Sequence, residues 1–72
     1  MTHKNVGNRV RDQRKAQGLT QAELAEQVGI ARVSVLSIEK GRYIPTIETA
    51  LRIAHALKMP VEELFWLKDE DV

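Results

Sequence analysis

The sequence predicts an all-α fold of five short helices, and three observations carry that prediction. Apolar residues recur three and four positions apart through most of the chain, the spacing of one helix face. Glycine and proline interrupt the pattern at Gly18, Gly29, Gly41, Pro45 and Pro60, cutting it into pieces of helical length. Nothing alternates with a period of two over a useful length, so no strand is predicted. Seventy-two residues leave room for one domain, predicted to span 1–72 with a frayed acidic tail at about 68–72.

The first helix is predicted over Asn5–Gln17. Val6, Val10, Gln13 and Gln17 share its inner stripe, and Gly18 ends it. The second opens at Thr20, where Thr20 and Glu23 have the T-x-x-E spacing of a capping box. Ala22, Leu24, Ala25 and Val28 then recur at helical spacing up to Gly29, which permits a sharp left-handed exit. Ile30 follows as a plug between helices. The third helix is predicted over Ala31–Lys40, with Ala31, Val35 and Ile38 inward and Gly41 as its stop. Arg32, Val33, Leu36, Ser37 and Lys40 fall on its other face. Pro45 cannot sit inside a helix, and Thr46 after it is a good cap. The fourth helix runs from Ile47 to Leu57, with Ile47, Ala50, Leu51, Ala54 and Leu57 predicted inward. Pro60 opens the fifth, from Val61 to about Trp66, in the position where proline is best tolerated.

Composition excludes several functions. Without cysteine the chain has neither a disulfide nor a thiolate metal site, which fits a cytoplasmic protein. A domain this small buries only about 60% of the surface its unfolded chain exposes, so packing and self-association must supply the stability. No apolar run approaches the ~20 residues of a membrane span, and the N-terminus lacks a signal-peptide core. His3 and His55 stand apart from any ligand cluster, so no metal and no cofactor is expected. No nucleophile–base pair or phosphate-cradling glycine loop is present, and no enzyme site can be assembled.

Charge is unevenly spread. Residues 1–43 carry eight Lys and Arg against four Asp and Glu, a balance of +4, while residues 44–72 balance at −3. The basic half contains the second and third helices, and such a field orients a molecule toward a polyanion. Two helices joined by a glycine-containing turn, the second with a polar and basic outer face, have the layout of a helix-turn-helix, whose second helix enters the DNA major groove.

Five segments extend this reading over nearly the whole chain: V-G-x-R-V-R, G-L-T-Q-A-E-L-A-E-x-V-G-I, I-E-K-G-R-x-x-P-T, A-L-x-I-A-x-A-L and V-E-E-L-F. Each piece is common, but in this order and spacing they are specific. The chain resembles the lambda-repressor-like helix-turn-helix family of phage repressors, Cro and Xre-type regulators. The resemblance implies double-stranded DNA as the partner and a role in transcription regulation.

It also implies residue roles. Gln21, first in the second helix, matches a position that meets a phosphate and buttresses the recognition helix; the helix dipole there favours an anion. Lys40 and Arg42 match phosphate-contacting positions, with Asn8, Arg9 and Lys15 as weaker candidates. Arg32, Val33 and Ser37, with Leu36 beside them, match positions facing base edges. Arg32 either reads guanine O6 and N7 with two parallel hydrogen bonds or clamps a phosphate. Val33 stands where the family often has a polar side chain; it either meets a thymine methyl group or is simply tolerated on the surface. Leu36 faces DNA or a partner. Ala31 replaces the usual Ser or Thr cap of the recognition helix, a loss of about 0.5–2 kcal/mol if nothing compensates. Arg14 and Glu39 match a partly buried ion pair, read as structural.

The apolar run Leu64–Leu67 suggests an assembly. Val61, Leu64 and Phe65 are predicted to face the core, leaving Trp66 and Leu67 for a homodimer interface. A twofold dimer would place two recognition helices about 34–36 Å apart, on a near-palindromic operator. No sensor segment is visible, so no small-molecule effector is expected. A different class of function uses the same fold: a protein-interaction module, such as an antitoxin or bridging factor.

Overall fold

The structure is a computed structural model that describes residues 5–68. His3 and the acidic run at 69–71 lie outside the described residues. The elements follow the order β1 (Val6–Asn8), α1 (Val10–Ala16), α2 (Gln21–Val28), α3 (Arg32–Glu39), α4 (Ile47–Leu57), α5 (Val61–Leu64) and β2 (Phe65–Leu67). Among the described residues five helices form the body, and two short strands pair antiparallel at its side, with Val6 opposite Leu67, Gly7 opposite Trp66 and Asn8 opposite Phe65.

Local chemistry sets the helix ends. Thr20 Oγ1 accepts the Glu23 amide at 3.0 Å while the Glu23 carboxylate accepts the Thr20 amide at 2.8 Å, closing a reciprocal cap on α2. Thr46 caps α4 by accepting the Thr49 amide at 3.1 Å. Ala31 offers α3 no side-chain cap. At the far end of α3, Gly41 adopts φ +75°, and the amides of Gly41 and Arg42 return to the carbonyls of Ile38 and Ser37. That left-handed closure ends α3 and turns the chain into the connection that carries Arg42 and Tyr43. Lys58 makes the same closure after α4 at φ +58°, without a glycine's freedom.

Leu24, Ile38, Ile53, Leu57, Leu64, Val10 and Val35 are all but sealed from solvent. Ile30 packs against them from the turn between α2 and α3. Among the described residues every buried side-chain polar atom has a partner. Gln13, one of the polar residues on the inner stripe of α1, donates from Nε2 to the Leu57 carbonyl at the end of α4.

Gln17 and Ala31, expected inward, are exposed, and three larger expectations are corrected. The first helix starts at Val10, not Asn5, because Val6–Asn8 is taken up in a strand. Asn8, one residue before the N-cap Arg9, accepts the Val10 amide at 3.0 Å, while its Nδ2 donates to the Ile38 carbonyl. The fifth helix stops at Leu64 rather than Trp66, and Phe65–Leu67 forms the second strand. Bulky and aromatic side chains favour that extended state once a partner strand is available. Finally, α4 buries Ile53, Ala54 and Leu57, leaving Ile47 at 77% and Leu51 at 51% exposed. The packing is rotated toward Ile53, so two residues expected inside lie on the surface.

Candidate nucleic-acid interface

The outer side of α3 is open. Arg32, Val33 and Lys40 are exposed, and Ser37 and Leu36 are half-buried at the edges of the same surface. Val33 is 63% exposed despite its apolar side chain. Val33, Ser34, Ser37 and Tyr43 line one shallow depression, and Arg11, Gln21, Leu36, Glu39 and Lys40 line another. Arg42, just beyond the Gly41 closure, is also exposed. The inner side of α3, Val35 and Ile38, is buried in the core. One face therefore anchors the helix while the opposite face presents hydrogen-bonding and cationic groups outward.

A chain of hydrogen bonds backs this surface. Arg32 Nη1 donates to Gln21 Oε1 at 3.2 Å, and Gln21 Nε2 donates to Glu39 Oε1 at 3.1 Å. Glu39 Oε2 receives Arg14 Nε at 2.6 Å, and Arg14 Nη1 reaches the Leu19 carbonyl at 2.8 Å. The side chains of Arg14 and Glu39 are 9% and 3% exposed, so the ion pair is withdrawn from water. Gln21 sits between this pair and the open end of α3.

The weaker candidates separate. Both ends of the Asn8 amide are held within the fold. Arg9 donates from Nε to the Glu63 carbonyl, and its guanidinium lies 4.8 Å from the Trp66 ring centroid. Lys15 is exposed on α1. Arg11 and Tyr43, not singled out from the sequence, border the α3 surface. Their signal was positional: Arg11 lies one helical turn before Arg14, and Tyr43 lies in the connection just after α3.

The order of the helices, the glycine turn between α2 and α3 and the open α3 face coincide with a known pattern. The helix-turn-helix family model matches residues 10–64. This chain belongs to that family. As a helix-turn-helix protein it is a transcriptional regulator with a DNA-binding fold, not an enzyme. It is 42% identical over 64 residues to YgzD of Bacillus subtilis strain 168, an HTH-type transcriptional regulator, in a match covering 89% of this chain and 97% of the relative. It is 38% identical over 68 residues to RstR, a cryptic phage CTXphi transcriptional repressor of Vibrio cholerae, covering 92% of this chain and 61% of RstR. Among solved structures it resembles the restriction-modification controller protein C.AhdI of Aeromonas hydrophila. That likeness has a TM-score of 0.71 at 33% identity and covers 75% of this chain and 82% of C.AhdI.

Among the described residues no group of three His, Cys, Asp or Glu is placed to hold a metal ion. No helix of the described residues is long and apolar enough to cross a membrane.

Proposed function

We propose that this helix-turn-helix protein is a sequence-specific repressor that occupies a promoter as a homodimer on a near-palindromic operator, in the cytoplasm. The observation carrying the proposal is the free outer face of α3, with Arg32, Val33 and Ser37 presented together and their backing helix fixed in the core. Arg32, Val33, Leu36 and Ser37 are the proposed base-facing residues, and Gln21, Lys40 and Arg42 the proposed phosphate contacts. The kinship with RstR favours repression over activation.

The dimer reading is supported by apolar surface at the C-terminal side. Leu67 is 79% exposed. Its pairing with Val6 puts both side chains on one side of the small sheet, since directly opposed residues share a face. A groove bordered by Val6, Ile44, Ile47, Val61 and Phe65 continues that surface toward α4. Leu67 is the proposed centre of the contact, with Trp66 at its margin on the other side of the sheet.

Selection of binding sites from a random duplex pool tests the proposal. The expected product is a site with two half-sites one helical turn apart, bound by a dimer, with affinity falling by a log–log salt slope of about −0.9 per phosphate contact. Recovery of no enriched sequence would refute it.

A further inference from the structure

The hydrogen-bond chain behind α3 constrains chemistry at its outer end. A carboxylate can only accept and a guanidinium can only donate. The Gln21 amide lies between one of each, so only one orientation satisfies both neighbours. Its NH₂ turns toward Glu39 at 3.1 Å and its oxygen toward Arg32 at 3.2 Å. Glu39 is itself held by Arg14 through Nε at 2.6 Å and Nη2 at 3.4 Å, so the amide cannot invert cheaply. Among the described residues Arg32 is thereby tethered by Nη1 alone. Its Nε–Nη2 edge stays open, the same edge with which Arg14 grips the Glu39 carboxylate.

We infer that Glu39 is a positioning residue for base recognition. Through the enforced polarity of Gln21 it holds Arg32 by Nη1, so that the Nε–Nη2 fork meets the paired acceptors of a guanine rather than a phosphate. This deepens the proposed function and rests on its reading of the α3 face. A guanine offers O6 and N7 side by side, which suits a fork already fixed in direction. Pre-orientation also lowers the side-chain entropy lost on binding. An untethered arginine would reach either bases or phosphates and discriminate less.

The test uses the full chain and the duplex recovered by selection, with each guanine exchanged in turn. Preference is the affinity ratio between the parent and exchanged duplexes, measured beside binding to unrelated duplex and the salt slope. Arg32→Ala is expected to abolish preference at one base pair. Gln21→Met, which keeps the side-chain length but can neither donate nor accept as an amide does, is expected to lower preference at that same pair by about five- to tenfold. In the Arg32→Ala background Gln21→Met is expected to change that preference no further. Glu39→Gln, checked for folding by circular dichroism, is expected to lower the same preference because its own amide allows Gln21 to invert. Gln21→Met leaves the ion pair in place and carries the test if Glu39→Gln does not fold.

If Arg32→Ala removes the preference while Gln21→Met weakens every duplex equally, the inference is overturned and the proposed function stands. If Glu39→Gln folds and keeps full preference, the inference is likewise overturned. If Arg32→Ala leaves every preference intact, the base-reading face is misassigned and both readings fall.

Discussion

Trp66 lies so closely over Gly7 that a Cβ at residue 7 would come within 2.5 Å of the indole nitrogen. The pairing of β1 with β2 sets these two residues directly opposite each other. The ring covers the space a side chain would occupy, and the Arg9 guanidinium lies over it, 4.8 Å from the ring centroid. Glycine is required here for close approach, not for an unusual backbone angle.

Gly7→Ala should therefore displace the indole and destabilise the domain by about 1 kcal/mol. Trp66 is the only tryptophan in the chain, so its fluorescence reports this site alone. The expected result is a red-shifted emission with the helical circular dichroism retained. An unshifted emission would show that the ring does not rest on the strand.

The Arg14–Glu39 pair should respond asymmetrically to mutation. Removing either partner leaves a buried charge uncompensated, and Arg14→Ala or Glu39→Ala is expected to cost about 3–5 kcal/mol. Replacing both with apolar residues of similar volume should cost much less than the two losses added together. Urea unfolding of the two single variants and the double variant gives the coupling directly. Simple additivity would mean that the pair does not act as a unit.

Lys58 occupies a left-handed position at φ +58°. A side chain there costs roughly 1–2 kcal/mol of backbone strain, which glycine avoids, although glycine also makes the unfolded chain more flexible. Lys58→Gly is expected to stabilise the domain by about 0.5–1 kcal/mol. In a domain of this size that raises Tm by roughly 2–8 °C, readable by thermal circular dichroism. A lower Tm would contradict the strain argument.

Lys40 and Arg32 stand at opposite ends of α3 and should fail differently. Lys40→Ala is expected to weaken binding to all duplexes alike and to reduce the salt slope by about 1. Arg32→Ala is expected to cost about 1–3 kcal/mol on the best site and to relax preference at one base pair. Fluorescence anisotropy at several salt concentrations separates the two patterns. Identical behaviour of the two variants would undo the division of roles.

The parts of this fold that were legible are those specified locally. The T-x-x-E cap of α2, the glycine after it and the closure at Gly41 all act between neighbours, so the helix-turn-helix could be read from residues 20–41. The outward placement of Arg32, Val33 and Lys40 followed from the spacing of Val35 and Ile38 on the inner side. The small sheet was not legible. Its strands are three residues long, too short to alternate, and Gly7 meets Trp66 only after the helices between them have folded. The α4 face was ambiguous for another reason. Ile47, Leu51, Ala54 and one choice of inner stripe share helical spacing with a rotated stripe through Ile53, Ala54 and Leu57. Contacts with the other helices select the second. Nor could the Arg32–Gln21–Glu39 chain be traced, because it depends on how α2 and α3 approach one another.

The pairing of Val6 with Leu67 continues outward, where the Lys68 amide donates to the Asn5 carbonyl at 2.7 Å. Entry to and exit from the described domain therefore share one corner. Segments grafted ahead of Asn5 or behind Lys68 would emerge as neighbours, and a short peptide bridge between those points would give a closed ring. Such cyclisation should leave the helical body intact, and new ends could then be opened in an exposed connection elsewhere.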